Sequence, residues 1–266
     1  MNHTGVCGAS CPRAARTRGL SAGTVWLLCC ARVVTLRVSH EGLATLGTMC
    51  ASPEPSDPAD SPDVAAVAAV PAVAAPVSAA HARIAGELPR QTSRLVLREL
   101  TPADAAAVHA YRSVPEVTRY LGHPPLDPDG ARDLVDRWLA DPAGLSVALE
   151  LDGAVVGDVR LWFWPSSVKA PATSEEVDAG LGYALHPGQQ GQGLATEAVG
   201  EIVQLVLGPG GIRRITTRVF AAATPSSKLL CRLGFHLDGV DRAAVLAPEG
   251  EVWWDDECWS LLRSDR

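Results

Sequence analysis

The stretch that most limits what this chain can fold into is Leu185-His186-Pro187-Gly188-Gln189-Gln190-Gly191-Gln192-Gly193-Leu194-Ala195-Thr196-Glu197-Ala198. It leaves an apolar run over residues 181–185 and passes through a proline and closely spaced glycines. It continues with Leu194, Ala198, Ile202 and Leu205 at helical spacing. A strand must therefore turn sharply and become a helix within a few residues. Such a turn gathers free backbone N–H groups at the positive end of a helix dipole, which makes a site for an anion. Gly191 and Gly193 carry no Cβ, so a bulky phosphate can approach the main chain closely. A pair of glycines before a helix also serves as a plain turn. The surrounding sequence has to decide between the two.

A chain of 266 residues with 47% hydrophobic residues can bury one large domain and carry a tail. Its net charge of −7 and its lack of a polybasic run exclude a nucleic-acid surface. The acidic balance suits a cationic partner such as an amine, and it equally serves solubility. Five of the seven cysteines (Cys7, Cys11, Cys29, Cys30 and Cys50) lie before residue 51, which leaves Cys231 and Cys258 for the rest. A secreted disulfide framework would spread its cysteines through the fold, so a reducing, cytoplasmic setting is expected. Cys7 and Cys11 have no histidine at ligand spacing, and no metal site is expected.

The N-terminal part divides by composition. In residues 1–48, Arg13, Arg16 and Arg18 precede an apolar stretch over 20–31 that Arg32 closes. The stretch is short for a membrane span, and no small-residue cleavage site follows it. Residues 1–48 are therefore expected to be a disordered leader or sequence foreign to the protein, with Met49 as the natural start and no membrane association. Residues 49–90 are rich in Ala, Pro, Val and Ser, and read as a disordered linker with some helix over 79–87. Residues 91–266 form the expected domain.

Within it, residues 94–98 read as a strand. Thr101-Pro102-Ala103-Asp104 starts a helix that runs to 112. Val114-Pro115-Glu116-Val117 restarts a short one, and Asp127 or Asp129 caps another through Leu134, Val135, Trp138 and Leu139. Strands over 145–151 and 154–163 meet at Asp152-Gly153, a hairpin turn. A loop follows to 173. A strand over 176–185 then enters the glycine turn, and a helix over 194–207 leaves it. A strand over 214–220, a helix over 225–233 stopped by Gly234, and strands over 235–245 and 252–262 complete the chain. This order predicts an α/β fold, a mixed and mostly antiparallel sheet with helices on both faces. Right-handed crossovers set the 194–207 helix next to the 214–220 strand.

Several pieces resemble a known family in order: Arg94-Leu95-Val96-Leu97-Arg98 with Asp104; Val117-Thr118-Arg119-Tyr120-Leu121-Gly122; Gly182-Tyr183 with Pro187 and the run Gly191 to Ala198; Ser226 with Leu233-Gly234-Phe235; and Asp256 with Trp259. Together they resemble the GNAT N-acetyltransferases of the RimJ/RimL type. The resemblance implies the GNAT fold and acetyl-CoA as co-substrate. It implies direct attack by an amine acceptor (a protein N-terminus or a small-molecule amine), and a monomer or homodimer. Gln190, Gly191, Gln192, Gly193, Leu194 and Ala195 would cradle the pyrophosphate, and Tyr183, Ala184 and Leu185 would offer backbone groups to the pantetheine arm.

Amine acetylation needs a neutral nucleophile, donors for the oxyanion and support for the departing thiolate. The tyrosine that many family members place four residues before the Gly-Phe pair is Leu230 here. The asparagine that the branch often carries three residues before the matched serine is Ala223. Ser226 remains as a catalytic or CoA-contacting hydroxyl. It otherwise serves the start of its helix, where Thr224 competes as the cap. Glu175, Glu176 and Asp178 are the candidate bases, with Glu176 and Asp178 on one face of the strand. Asp158 and Arg160 share a face of the neighbouring strand, and His123 is a further base candidate. Glu197 is expected to complement the helix N-terminus, and His186 to face solvent. Cys231 and Cys258 read as buried thiols. The two departures leave open a rival reading, a GNAT module that holds CoA without catalysis.

Overall fold

The computed structural model describes residues 25–29, 32–36, 75–166 and 175–266. Most of the leader, residues 49–74 of the linker stretch and the loop over 167–174 lie outside the described residues. The leader expected to lack structure contains a hairpin. β1 (Val25–Cys29) and β2 (Arg32–Leu36) pair antiparallel, with Val25 opposite Leu36. β1 is apolar throughout and β2 carries Val33, Val34 and Thr35, β-branched residues that favour extended backbone.

The second body starts inside the stretch expected to be a disordered linker. α1 (Ala75–Ala85) buries Val77, Ala80 and Ile84, which lie at helical spacing. Arg83 Nη2 donates to Gly210 O at 3.2 Å and ties the helix down. The linker expectation is corrected over these residues: an alanine-rich helix with one apolar stripe is enough to dock.

The sheet has eight strands in the order β3-β4-β5-β6-β7-β8-β10-β9. They are β3 (Arg90–Gln91), β4 (Val96–Glu99), β5 (Gly144–Leu151), β6 (Ala154–Pro165), β7 (Val177–Leu185), β8 (Arg214–Phe220), β9 (His236–Leu246) and β10 (Trp253–Leu262). Every pairing is antiparallel except β7 with β8. The hairpin turn between β5 and β6 has Asp152 at φ 51° and Gly153 at φ 81°, the left-handed pair a two-residue turn requires.

Five further helices complete the body: α2 (Ala105–Arg112), α3 (Pro115–Thr118), α4 (Pro128–Ala140), α5 (Leu194–Leu207) and α6 (Thr224–Arg232). Asp127 caps α4, its side chain accepting from Gly130 N at 2.7 Å. One face of the sheet packs Val159, Leu161, Leu181 and Ile215 against side chains of α1, α5 and α6. The other packs Ala148 and Ala184 against Val108, Tyr111 and Val135 of α2 and α4. The mixed sheet with helices on both faces is the architecture the element order predicts. Among the described residues, no helix is long and apolar enough to cross a membrane.

Candidate functional site

β7 is paired unequally on its two sides. It meets β6 along its whole length, from Val177 to Leu185. It meets β8 only through Asp178–Arg214, Ala179–Ile215 and Gly180–Thr216. Beyond Gly180 the two parallel strands part. Backbone direction alternates along a strand, and two hydrogen bonds set its phase. His186 N donates to Val156 O on the β6 side, and Arg213 N donates to Val177 O on the β8 side. The backbone groups of Tyr183 and Leu185 therefore point into the gap. Those of Ala184 face β6, so Ala184 lines the site through its methyl group and not its main chain. Leu185 O is already taken by Gln190 Nε2 at 3.0 Å.

The open end of this gap runs into the glycine turn. His186 Nδ1 accepts from Gly188 N at 3.1 Å and starts a single turn of 3-10 helix over Pro187–Gln189. Gly191 at φ 74° and Gly193 at φ 80° then reverse the chain, a conformation that disfavours any residue with a Cβ. The N–H groups of Gly191, Gln192 and Gly193 bond to no protein group among the described residues. The first turn of α5 adds those of Leu194, Ala195 and Thr196, which a helix leaves without intrahelical partners. Arg94 Nη1 holds Gln192 O at 2.9 Å. Glu197 accepts from Thr92 Oγ1 at 2.6 Å, Ser93 Oγ at 2.8 Å and Arg94 N at 2.8 Å. Burial pushes its carboxyl up, but these bonds outweigh that and hold it at about 2. Glu197 is a brace between the 92–94 loop and α5, as its helix-start position suggested.

Gap and turn open into one cleft of about 330 Å3. The turn and the start of α5 form its floor. Pro225 and Ser226 of α6 form one wall; Glu116, Tyr120 and Leu121, on and after α3, form the other. Ala223, not Thr224, is the N-cap of α6, and it makes no side-chain cap. The Tyr183 hydroxyl is enclosed and meets no hydrogen bond of normal geometry. Burial raises its pKa, an effect that the Ser226 hydroxyl partly offsets. Glu116 is the one carboxylate among the described residues lining the cleft. Sequence reasoning missed it: an acid just after Val114-Pro115 reads as an ordinary helix-start charge. Tyr120, also passed over, stacks on Trp254 with ring centroids 5.6 Å apart.

The structure does not bring the predicted carboxylates to this cleft. Asp178 stands at the closed end of the gap, roughly 23 Å along β7 from Leu185 at about 3.3 Å per residue. It is buried against Arg213, with Nη2–Oδ2 at 2.6 Å and Nε–Oδ1 at 2.9 Å, and it accepts from Ser166 Oγ at 2.8 Å. Glu176 is exposed beside Arg263 at 3.5 Å, and Glu175 is exposed too. What period-two alternation does not carry is which end of the strand opens.

Asp158 is fully buried, bonded to Tyr111 Oη at 2.6 Å and Arg112 Nη2 at 2.7 Å, both on α2. Arg160 is tied to Asp141, Ser146 and Trp138 O. Arg112 Nη1 can only donate, so His123 Nε2 accepts from it at 2.9 Å, and the ring proton sits on Nδ1 facing Pro124 O at 2.8 Å. Burial lowers the His123 pKa. Its one lone pair is occupied, which removes it as a base. Cys231 is exposed and Cys258 half-buried beside Arg218, in place of the two buried thiols expected.

A strand that parts from its parallel neighbour beside a glycine turn and a helix N-terminus is the arrangement expected of an α/β fold of the GNAT class. Residues 94–236, more than half of the chain, match the family model for the acetyltransferase (GNAT) domain. The chain belongs to the GNAT acetyltransferase family. It is 31% identical over 157 residues to the uncharacterized N-acetyltransferase p20 of Bacillus licheniformis, covering 57% of this chain and 84% of that protein. Solved structures share the fold. Mycobacterium smegmatis RimJ in complex with CoA-disulfide matches with a TM-score of 0.55 at 19% identity, over 67% of this chain and 90% of that one. Spermidine N-acetyltransferase from Vibrio cholerae, in complex with CoA and spermine, matches with a TM-score of 0.56 at 18% identity, over 65% of this chain and 98% of that one.

Proposed function

We propose that the chain is an acetyl-CoA-dependent N-acetyltransferase that transfers acetyl to a primary amine, a protein N-terminus or a small-molecule amine, by direct attack. The observation that carries this reading is the joined gap and turn. It offers strand-spaced backbone groups at one end and a run of unpaired N–H groups at the other, which suits an extended amide chain ending in a pyrophosphate. The cleft has room for both, and its enclosed Tyr183 hydroxyl lacks a partner that a ligand-bound state can supply.

On this reading, residues 191–195 hold the pyrophosphate with their N–H groups, while Gln190, whose N–H donates to Pro187 O at 3.1 Å, braces the turn instead. Arg232, at the α6 end of the cleft, adds positive charge. Tyr183 presents its backbone groups to the pantetheine arm, and Leu185, whose O is held by Gln190, keeps its N–H for the developing oxyanion. Glu116 attracts the ammonium form of the acceptor and takes its proton, directly or through water. Ser226 serves the departing thiolate. The distribution of cysteines, with thiols only at Cys231 and Cys258 in the folded body, supports a cytoplasmic setting.

Calorimetric titration with CoA, followed by an acetylation assay over free-N-terminus peptides and small amines, tests the reading. CoA is expected to bind, and at least one primary amine to gain an acetyl group. Failure to bind CoA overturns it. CoA binding with no turnover on any amine supports the rival, a CoA-holding module.

A further inference from the structure

A second cavity, of about 490 Å3, borders the same α3 stretch as the cleft. Glu116, Val117 and Tyr120 line the cleft, Pro115, Thr118 and Arg119 line the second cavity, and Leu121 belongs to both. Residues at helical spacing thus sort onto two faces of one stretch, which is a partition between the cavities. Among the residues lining the second cavity, Arg119 is the one permanent cation, and Glu249, on the loop between β9 and β10, is the one carboxylate. The two form an ion pair with side chains 41% and 48% exposed. Rings hold the guanidinium as well: its carbon lies 5.2 Å from the centroid of Trp254 and 5.9 Å from that of Tyr120. Such contacts pre-set the plane of an arginine. The ion pair is weaker than this setting. Open to water, it contributes little, so another carboxylate can take the place of Glu249.

We infer that the amine acceptor carries a carboxylate within a few bonds of its amine, and that this carboxylate replaces Glu249 on Arg119 while the amine meets Glu116. This rests on the acetyl-transfer reading above and names the class of acceptor for it: an amino acid, or a peptide with an acidic residue next to its N-terminus. Glu116 and Arg119 are three positions apart, which sets their Cβ atoms about 5–6 Å from each other. Among the described residues, Arg119 pairs with Glu249 and not with Glu116. A ligand bearing both charges satisfies each in turn, its ammonium on the cleft side of the partition and its carboxylate on the other. A guanidinium fixed on rings offers parallel N–H donors, which grip both oxygens of a carboxylate. Glu249 is the internal stand-in that keeps Arg119 paired until the acceptor arrives. An amine without an acid has nothing to offer Arg119, so the site separates an acid from its own amide.

The test is initial-rate kinetics on the full chain, with acetyl-CoA saturating and pairs of primary amines that differ only in an acid or its amide. One pair is 4-aminobutyrate and its amide; the other is the C-terminal amides of the dipeptides Ala-Glu and Ala-Gln. In the wild type the acid of at least one pair should exceed its amide about tenfold in kcat/KM, through a lower KM. Arg119→Gln should erase that preference by raising KM for the acid, and Arg119→Lys should keep part of it. Glu249→Gln removes the stand-in and should lower KM for the acid about threefold. Equal rates for acid and amide, faster turnover of the amides, or a preference that survives Arg119→Gln overturns the inference. Should Arg119→Gln disturb the α3 stretch, Glu249→Gln reads the pair from its other end, and a KM for the acid that rises or stays fixed there overturns it too. Protein that binds no CoA, or that acetylates no amine of a wider panel, overturns the parent reading and this inference together. Turnover of amines without preference for the acid overturns this inference alone.

Discussion

Glu116 has no protein partner for its carboxylate among the hydrogen bonds and ion pairs of the described residues, and it faces the cleft. Glu116→Gln keeps size and polarity but removes the charge. It should lower kcat/KM for the amine about tenfold to a hundredfold while CoA affinity stays unchanged. Steady-state kinetics with each substrate varied in turn separates the two. An equal loss in CoA affinity would put Glu116 on the wrong side of the cleft. Gly193 answers for the other substrate. Its φ of 80° disfavours a side chain, and its N–H sits among unpaired donors. Gly193→Asp adds strain and a negative charge at once, and calorimetry should detect no CoA binding. Glu197 gives the turn a pH limit. Its carboxyl is held at about 2, below its ordinary 4.5. The bonds it accepts are therefore at full strength above pH 4.5 and are lost as pH falls toward 2. CoA affinity and thermal stability should decline together across that window. Glu197→Gln should flatten the decline.

At the level of elements, the turn and the strand entering it were legible because their determinants are local. Glycines at fixed offsets, a proline and the change from strand to helix spacing all lie within one short stretch. The Asp152-Gly153 hairpin and the Asp127 cap were legible for the same reason. The part of Asp178 was not, because its partner Arg213 lies 35 positions away and meets it only once β7 and β8 pair. Glu116 was hidden similarly: its neighbours mark a helix start, and only tertiary packing turns that start toward the cleft. α1 was legible only as some helix over 79–87 inside a linker, because its Ala/Val composition continues that of the residues before it and hides its start at Ala75. Asp178 thus becomes a clasp at the closed end of the gap. Asp178→Ala should cost about 1–3 kcal/mol of stability in denaturant unfolding, since it strips a partly buried arginine of its partner. The folded fraction should keep its kcat. A lost kcat with unchanged stability would return Asp178 to the reaction.

Across the whole molecule, one polar cluster is set in the apolar layer between the sheet and α2 and α4. Asp158 and Arg112 pair with side chains 0% and 6% exposed, Tyr111 bonds the same carboxylate, and Trp138 lies over the guanidinium. Breaking such a pair leaves a buried charge alone. Asp158→Ala should cost about 3–5 kcal/mol and lower the melting temperature by roughly 10 °C, measured by calorimetry. The unequal pairing of β7 has its own consequence for the body as a whole. Its outer edge, from Leu181 to Leu185, is a seat for a guest strand, and whatever extended chain occupies it becomes part of the sheet. Amide exchange at Tyr183 and Leu185 should therefore be fast in the empty protein and slow with CoA. A donor too short to span the seat, such as acetyl phosphate, should leave it fast.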